Sequence, residues 1–319
     1  MKKALITGGT GFVGANLARR LLSEGHEVHL LVRPQYLGWR LESIRKEVRI
    51  HEYQPGDQES IETALSRIKA DWIFHLAAHG AYSWQTNADA MVKTNVLLAV
   101  HLTEAAIKAG FEAFINTGSS SEYGFKDHAP AENEVLEPNS YYAVTKASAT
   151  MLCRFLAQKH KLHMPTLRLY SVYGPYEEPN RLMPKIVTHG LAGRFPPLVN
   201  PSIARDYVYV DDVLDAYLLA AQKTADELGA VYNVGTGRQT TLKEVVEAAK
   251  EIMAIQEEPQ FGSMPDRDWD TTVWVANNRK ISEVLGWRAR YSLKDGLAAL
   301  VEWFRANADV REVYAAAHP

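Results

Sequence analysis

The chain contains a single cysteine, Cys153, among its 319 residues. One cysteine cannot form an intramolecular disulfide, and it lacks the spaced Cys or His neighbours of a zinc site, so neither a disulfide scaffold nor a bound metal is expected. No uninterrupted apolar run approaches the roughly 20 residues that a helix needs to cross a bilayer. Only three apolar residues lie between the basic pair Lys2-Lys3 and the first pair of glycines, too few for the core of a signal peptide. We therefore expect a cytoplasmic protein in a reducing compartment, without membrane contact.

Positive charge is not in excess either. The chain has 35 Lys and Arg against 38 Asp and Glu, for a formal net charge of −3, so no global positive field exists to hold a phosphate backbone by counterion release. Nucleic acid is not an expected partner. The sequence has no internal repeat, low-complexity tract or block of like charge, and its 46% of hydrophobic residues is typical of an ordinary globular protein.

The first half of the chain alternates between strand-like apolar runs and helical patterns. This alternation predicts an α/β fold with a doubly wound parallel sheet of the Rossmann type. The strands are predicted at 3–7, 27–32, 48–51, 72–76, 113–117 and 166–169, and the helices at 12–23, 58–69, 86–109 and 142–159.

The first predicted strand runs directly into a glycine-rich loop, after which a helix begins. Glycines at this spacing permit a tight turn, let backbone N–H groups approach a pyrophosphate and allow close packing of helix on strand, while the helix N-terminus supplies partial positive charge. A glycine-rich turn without a ligand is the alternative. The context predicts a dinucleotide site with contacts from Gly8, Thr10, Gly11, Phe12, Val13 and Gly14.

After Tyr170 the pattern changes. Prolines at positions 175, 179, 184, 196, 197 and 201 divide the chain into short segments, which is typical of a smaller lobe rather than a continuing sheet. The sequence therefore predicts a dinucleotide-binding domain at 1–170. A smaller C-terminal lobe at 171–319 is expected to bind substrate, with some segments returning to the first domain.

The end of the second strand, Leu31-Val32-Arg33, bears on the choice of coenzyme. An NAD site often places a carboxylate here on the ribose hydroxyls, and that acid is missing. Arg33 can instead pair with a 2′-phosphate, which favours NADP(H) over NAD(H), although a solvent-facing arginine is the alternative. Asp57 follows the third strand at a position expected to meet the adenine edge, with capping of the next helix as its alternative role.

Four segments occur in the order found in extended short-chain dehydrogenase/reductases. They are the glycine loop, Thr117-Gly118-Ser119-Ser120-Ser121-Glu122-Tyr123-Gly124, the Tyr-x-x-x-Lys of Tyr142 and Lys146, and Arg205-Asp206-Tyr207-Val208-Tyr209-Val210-Asp211-Asp212. On these motifs the chain resembles the NAD-dependent epimerase/dehydratase family from Lys2 to about Gly296. The resemblance implies an enzyme that modifies a nucleotide-diphospho-sugar with a nicotinamide dinucleotide.

Tyr142 and Lys146 are four residues apart, so they share one face of a predicted helix. Moving the pKa of a tyrosine from near 10 to about 7 needs roughly 4 kcal/mol of anion stabilisation, which a neighbouring ammonium and the nicotinamide can supply. Tyr142 is therefore the predicted acid/base. The resemblance implies that Lys146 also holds the nicotinamide ribose and that Ser119 hydrogen-bonds the reacting sugar oxygen. The alternative is an aromatic residue and a lysine on an ordinary amphipathic helix.

The fourth strand ends at His75-Leu76-Ala77-Ala78, which resembles the family segment that passes beneath the cofactor. Leu76, Ala77 and Ala78 are therefore expected to bind the dinucleotide, and a structural role is favoured for His75. Asn95 resembles a family asparagine that binds the cofactor from the next helix. Plain hydrogen bonding between helix and sheet is its alternative role.

Two arginines, Arg205 and Arg267, resemble those with which family members bind the substrate diphosphate. Paired guanidiniums can hold a pyrophosphate by charge-assisted hydrogen bonds, whereas ordinary surface or ion-paired arginines are the alternative. Ser171 stands where many relatives carry an asparagine that contacts the sugar nucleotide, and serine is shorter.

The resemblance leaves three reactions open: 4,6-dehydration, C4 epimerisation and reduction of a 4-keto sugar. Family dehydratases carry Asp-Glu just after the catalytic hydroxyl residue because eliminating water needs an acid and a base, whereas Ser120 and Ser121 occupy those positions here. Ser120 and Glu122 are expected to contact substrate. Because Ser-Glu-Tyr-Gly runs resemble those of some 4-ketohexose reductases, reduction is favoured, with an epimerase that recycles NAD as the close alternative.

A hypothesis from another class is a non-catalytic dinucleotide sensor, which would keep the glycine loop and lose the tyrosine and lysine. Both are present here. The family resemblance also implies a homodimer, formed through the helices near 86–109 and 142–159. Apolar residues such as Leu97, Leu98, Met151 and Leu152 on these helices exceed what one core needs.

Overall fold

The computed structural model describes residues 1–265 and 271–316. Its strands are β1 (Lys3–Thr7), β2 (Glu27–Val32), β3 (Arg49–Glu52), β4 (Trp72–His75), β5 (Ala113–Ser119), β6 (Thr166–Leu169), β7 (Ser171–Tyr173), β8 (Ala204–Arg205), β9 (Tyr207–Tyr209), β10 (Val231–Val234) and β11 (Thr240–Thr241). Its α-helices are α1 (Phe12–Ser23), α2 (Gln58–Ile68), α3 (Ala88–Met91), α4 (Leu98–Ala109), α5 (Tyr141–His160), α6 (Leu182–Gly190), α7 (Val210–Gln222), α8 (Leu242–Met253), α9 (Arg279–Leu285), α10 (Leu293–Ala306) and α11 (Ala308–Ala316). A π-helical segment, Val92–Leu97, joins α3 to α4, and 3₁₀ turns span Trp39–Ile44 and Ser120–Tyr123.

Seven parallel strands form the central sheet, in the order β10-β6-β5-β4-β1-β2-β3. The order reverses between β1 and β4, because β2 and β3 lie on one side of β1 and the later strands on the other. In an open α/β sheet, the crevice outside the carboxyl ends of the strands at such a reversal is where ligands bind. The topology therefore fixes the place of the site before any side chain is considered.

Residues along the central strands alternate between two hydrophobic cores, one on each face of the sheet. Ala4, Ile6 and Phe74 belong to the larger core, which also contains residues of α1 and α7. Leu5 and Ile73 belong to the core shared with α2, α4 and α5. Because both faces are covered, these strands read as continuous apolar runs rather than as alternating ones.

The predicted fold class is confirmed. The strands at 3–7, 27–32 and 166–169 and the helix at 12–23 begin and end at the predicted residues. β3 is shifted by one residue, and β5 runs two residues further than predicted, to Ser119. After residue 170 the chain divides: β10 pairs with β6 at the sheet edge and α7 packs on β5 and β6, while α6, α8, α10 and α11 pack on one another beside the sheet. The boundary at 170 stays a prediction.

One helical stretch, Ala88–Ala109, is long and apolar enough to cross a membrane by length and composition alone. It packs against α2 and α5. Leu98, Leu102 and Ala106 from this stretch lie fully or almost fully buried in the second core. We interpret its apolar composition as that of a core helix.

Candidate active site

A cleft of about 1470 Å³ opens at the carboxyl edge of the sheet, between the ends of β1, β2, β4 and β5 and the smaller lobe. Most residues predicted from sequence meet there. The cleft is lined by Gly8, Thr10, Gly11, Phe12, Val13, Gly14, Arg33, Leu76, Ala77, Ala78, Ser119, Ser120, Tyr142, Ser171 and Arg205. Asp57, Asn95, Glu122 and Lys146 are not part of its lining, and Arg267 lies outside the described residues.

Two glycines of the loop are required by close backbone approach. Gly8 has φ +72°, and a Cβ there would stand 2.6 Å from the backbone N of Ala77. A Cβ at Gly14 would stand 2.3 Å from the carbonyl oxygen of Gly8. The backbone of the loop therefore packs directly against the start of α1 and the end of β4, with no room for side chains at these two positions. Gly11 caps α1 without a side-chain hydrogen bond, and the first turn carries no acidic residue, so the helix presents its N–H groups and partial positive charge to the cleft.

Of the two residues predicted to contact the adenosine half of the dinucleotide, Arg33 lines the cleft and Asp57 does not. Arg33 is exposed at the end of β2 and lines the cleft. Asp57 instead caps α2, because its carboxylate accepts a hydrogen bond of 3.0 Å from the backbone N of Glu59. Its neighbours Pro55 and Gly56, rather than Asp57, line the cleft. The structure thus shows the capping role that the sequence left as an alternative.

His75 is a structural residue beneath the cleft. It is fully buried, and its Nδ1 lies 2.7 Å from Oγ1 of Thr7. Burial lowers the pKa of His75 to about 3, so the ring is neutral at physiological pH. The Oγ1 of Thr7 also accepts a hydrogen bond from the backbone N of Ala77. These contacts hold the end of β4 against β1, where the dinucleotide is expected.

Ser119 and Tyr142 both line the cleft, and Ser119 acts directly on the tyrosine hydroxyl. Ser119 is the last residue of β5, and Tyr142 lies in the first turn of α5, which packs on β5. Burial raises the pKa of Tyr142 to about 12, and a hydrogen bond with Ser119 opposes the shift. The sequence prediction gave the role of lowering this pKa to Lys146. In the structure the contributions that lower it come first from Ser119 and then from Arg181.

Tyr142 is therefore a protonated acid at neutral pH. Bringing its pKa from about 12 to about 7 takes about 7 kcal/mol of preferential stabilisation of the phenolate, more than the roughly 4 kcal/mol that an exposed tyrosine needs. Lys146 lies one turn further along α5 and is 2% exposed. Burial lowers the pKa of Lys146, and the carboxylate of Glu122 opposes this.

Glu122 is turned away from the cleft, and the expectation that it contacts substrate is corrected by this position. It is fully buried and accepts hydrogen bonds from Ser119 N (2.8 Å), Thr150 Oγ1 (3.0 Å) and Arg168 Nε (2.8 Å). The pair with Arg168 is a buried salt bridge. Because three donors already occupy its two oxygens, Glu122 fixes Ser119 and α5 to the sheet instead of reacting.

Asn95 lies in the π-helical segment and braces the protein rather than the cofactor. Its amide nitrogen donates to the carbonyl oxygen of His79 (2.8 Å) and to Oγ1 of Thr145 (2.9 Å), and its Oδ1 accepts from the backbone N of His79 (2.8 Å). The side chain has no capacity left as a donor. Asn95 thus has the structural role that the sequence left as an alternative. Its partners are the loop at His79 and helix α5 rather than the sheet.

The smaller lobe supplies the opposite wall. Ser171 begins β7, which pairs in parallel with β9, and Arg205 ends β8, which pairs with β11. The Nη1 of Arg205 donates to the carbonyl oxygen of Ala204 at 2.8 Å, and its guanidinium carbon lies 5.5 Å from the ring centroid of Trp274. The indole N–H of Trp274 donates to Oγ of Ser120 at 3.1 Å.

Glu177 and Trp274 line the cleft wall and were not predicted from the sequence, whereas Arg181, which also lines it, was expected to shape the sugar pocket. Glu177 is 4% exposed, its Oε1 lies 3.5 Å from Nε of Arg181, and its Oε2 has no hydrogen-bond partner. Burial raises the pKa of Glu177 to about 7, and Arg181 opposes the shift. The proline-rich setting of Glu177 gave no periodicity from which its burial could be predicted.

The residues that the structure describes at the cleft fit a dinucleotide. The flat glycine loop and the small side chains of Ala77 and Ala78 leave room for a pyrophosphate and a ring. Among the described residues, no group of three or more His, Cys, Asp or Glu side chains is placed to hold a metal ion.

The sequence matches the family described as "NAD dependent epimerase/dehydratase family" over residues 4–235. Among curated relatives, it is 30% identical to UDP-glucose 4-epimerase of Mycolicibacterium smegmatis, over 95% of this chain and 98% of that protein. It is 29% identical to dTDP-glucose 4,6-dehydratase of Streptomyces griseus, over 95% of this chain and 94% of that protein.

Solved structures show the same similarity. UDP-glucose 4-epimerase of Thermotoga maritima with UDP-glucose superposes with a TM-score of 0.86 at 31% identity, covering 96% of this chain and 99% of that one. MoeE5 in complex with UDP-glucuronic acid and NAD has a TM-score of 0.82 at 30% identity, with the same coverage.

Proposed function

The chain belongs to the NAD dependent epimerase/dehydratase family, and from that membership we propose that it oxidises and reduces C4 of a sugar carried by a nucleoside diphosphate. The observation that carries the proposal is the pairing of Ser119 with Tyr142 in the cleft that the glycine loop also lines. A serine and a tyrosine that line the same cleft and interact electrostatically can together hold one carbinol oxygen and move its proton.

The proposed step needs few groups from the protein. Ser119 hydrogen-bonds the C4 oxygen and orients it, and the Tyr142 phenolate accepts the hydroxyl proton as the C4 hydride departs. In the reverse direction Tyr142 returns the proton to the oxygen as C4 receives a hydride. A bound nicotinamide dinucleotide supplies the hydride acceptor and donor. In the structure the groups that favour the phenolate are Ser119 and then Arg181, and we assign Lys146, buried on α5, to the nicotinamide ribose.

We propose C4 epimerisation as the net reaction. Dehydration needs a further acid and base beside the serine, and Ser120 and Ser121 supply neither, while Glu122 is held by Arg168. The sequence argument for a reductase depended on Glu122. Because Glu122 lies outside the cleft, that argument is weaker. The epimerases among the relatives, at 30% and 31% identity over nearly the whole chain, support the same choice.

A second candidate is a 4-keto-sugar reductase. The supporting observation is Arg33, which is exposed at the end of β2 beside the cleft with no carboxylate at the strand end. We propose that the Arg33 guanidinium binds the 2′-phosphate of the coenzyme. This chain would then prefer NADP(H), although a solved relative contains NAD. A coenzyme drawn from the reduced NADPH pool suits net reduction.

One incubation separates the two reactions. Purified protein is mixed with nucleotide-diphospho-sugars and their 4-keto derivatives, and products are resolved alongside the absorbance of added NADPH. Change of configuration at C4 without net coenzyme consumption is the expected result. Consumption of one NADPH for each keto sugar would establish the reductase, and tight coenzyme binding without turnover of any sugar nucleotide would contradict both.

We also propose a homodimer, formed through α5 and the helix beside it. Of the apolar residues expected at this surface, Leu98 is buried and Met151 is 65% exposed. Val144, Met151 and Phe155 are all exposed and form one stripe along α5. A stripe of this kind is apolar surface that a second copy can cover.

A further inference from the structure

Trp274 contacts two parts of the proposed substrate site, the segment beside the catalytic Ser119 and the arginine Arg205. Its indole N–H donates to Ser120, which follows Ser119 directly, and its ring faces the guanidinium of Arg205. Its backbone N donates to Oε1 of Gln239 at 3.2 Å, so the residue is held from the main chain as well. The indole therefore occupies the stretch of wall between the reacting end of the cleft and Arg205.

The shape of the proposed substrate gives this position a meaning. In the proposed reaction C4 of the sugar lies at Ser119, and the family resemblance implies that the diphosphate on C1 extends towards Arg205. C1 and C4 lie on opposite sides of a pyranose ring. A side chain that contacts both Ser120 and Arg205 therefore lies alongside that ring, and we infer that it flanks one edge, either the C2–C3 edge or the edge formed by C5 and its C6 substituent.

The chemistry of the wall distinguishes these edges. The only polar atom of the indole is already bonded to Ser120, so the surface that it offers to a ligand is carbon. Phe125 extends that surface, because it lines the same cleft and also shares a smaller pocket with Thr271, Thr272 and Val273, which precede Trp274. Hydroxyls at C2 and C3 would be left unpaired against such a wall, at a cost in binding. A C5 edge that ends in a methyl group would not.

We propose that Trp274 is a specificity-determining residue that selects a nucleotide-diphospho-6-deoxyhexose, with its ring packed against C5 and the C6 methyl group. The proposal rests on the C4 chemistry assigned to Ser119 and Tyr142. A hydroxyl added at C6 would be buried without a partner, so discrimination against the parent hexose is expected to be about tenfold to hundredfold in kcat/KM.

The test compares two substrates on the same nucleotide, a 6-deoxyhexose and its parent hexose. For wild-type protein we expect kcat/KM to favour the 6-deoxy sugar by about tenfold to hundredfold. Trp274→Ala should reduce this preference to less than about threefold, chiefly through a higher KM for the 6-deoxy sugar. Trp274→Phe keeps an apolar ring and should retain most of it. Trp303→Phe, a tryptophan on α10 outside the cleft lining, serves as the matched control.

The outcomes separate this inference from the proposed function. If no nucleotide sugar undergoes reaction at C4, the proposed function fails and the inference with it. If wild-type protein turns over both sugars equally, or if folded Trp274→Ala keeps the wild-type preference, the inference is overturned while the C4 reaction stands. Coenzyme binding and thermal unfolding establish that each variant is folded. Should Trp274→Ala fail to fold, the wild-type preference and the Trp274→Phe variant still decide.

Discussion

Tyr142 is the residue on which the proposed proton transfer depends. In the structure its hydroxyl is protonated at neutral pH, because burial raises its pKa to about 12. Tyr142→Phe removes the only transferable proton of this side chain and leaves the ring in place. We expect turnover to fall about 10²- to 10⁴-fold, with coenzyme affinity changed less than about threefold. Steady-state kinetics and coenzyme titration check this, and near-normal turnover would contradict the mechanism.

Arg33 tests the proposed coenzyme preference at the level of a single charge. Arg33→Ala removes the guanidinium at the end of β2, so it should weaken NADPH about tenfold or more while changing NADH little. Fluorescence titration of both coenzymes measures the difference. Arg45→Ala, on the exposed surface outside the cleft lining, is the control. Equal weakening of both coenzymes by Arg33→Ala would show that no 2′-phosphate is recognised.

Glu177 links protein stability to pH. Its pKa is raised from an ordinary value of 4.5 to about 7, chiefly by burial, and one of its oxygens has no partner. The folded protein therefore binds this proton more tightly than the unfolded chain. The stability associated with the neutral carboxyl is fully present below about pH 4.5 and is lost as pH rises through about 7.

Glu177→Gln should abolish that loss. We expect the variant to be about 1–3 kcal/mol more stable than wild type at pH 8, where Arg181 only partly offsets the buried charge, and to match it near pH 4.5. Chemical unfolding at both pH values measures the change. Glu302→Gln, on the exposed face of α10, should show neither effect. If the difference in unfolding free energy between wild type and Glu177→Gln is the same at pH 4.5 and pH 8, Glu177 does not titrate in this range.

At the scale of elements, the packing of α1 on the glycine loop leaves no room for a single added carbon. Gly14→Ala would place Cβ 2.3 Å from the carbonyl oxygen of Gly8, which forces α1 away from the loop. We expect a loss of about 1–3 kcal/mol in unfolding free energy together with weaker coenzyme binding. Gly38→Ala, where the nearest atom is a side-chain carbon at 3.5 Å, is the control. Normal coenzyme affinity in Gly14→Ala would contradict this account of the loop.

The elements that position the site were largely predictable from sequence. Strands buried on both faces have continuous apolar runs, and the glycine loop can be identified because its backbone geometry requires glycine. Both depend on neighbours close in the chain, so local pattern is sufficient to predict them. The roles of Leu76, Ala77 and Ala78 at the end of β4 were instead expected from the family resemblance.

The orientation of polar side chains was not predictable in the same way. Glu122 is drawn into the core by Arg168, which comes 46 residues later on β6, and no local pattern carries that contact. Asn95 lies in a π-helical segment within a stretch predicted as one regular helix. Trp274 has no helical or strand periodicity around it. These three required the tertiary structure because their partners are distant in sequence.

At the scale of the whole molecule, the exposed apolar stripe on α5 predicts the assembly state. Met151→Asp combined with Phe155→Asp places two charges on a surface that a second copy would bury, which is costly when the charges are unpaired. Sedimentation should show wild type at twice the 35.7 kDa chain mass and the double variant as a monomer. Both residues are more than half exposed, so the fold should persist. A monomeric wild type would contradict the proposal.

The place of β10 at the edge of the sheet has a consequence for how the protein is made. In the described part of the chain β10 is the strand that pairs with the outer edge of β6, yet the 61 residues from 170 to 230 separate the two strands. At a synthesis rate of about 5–20 residues per second, the nascent sheet waits roughly 3–12 s with that edge unpaired. An open strand edge is a template for pairing with other chains. The protein is therefore most exposed to aggregation on the ribosome, in the interval before the smaller lobe returns its strand.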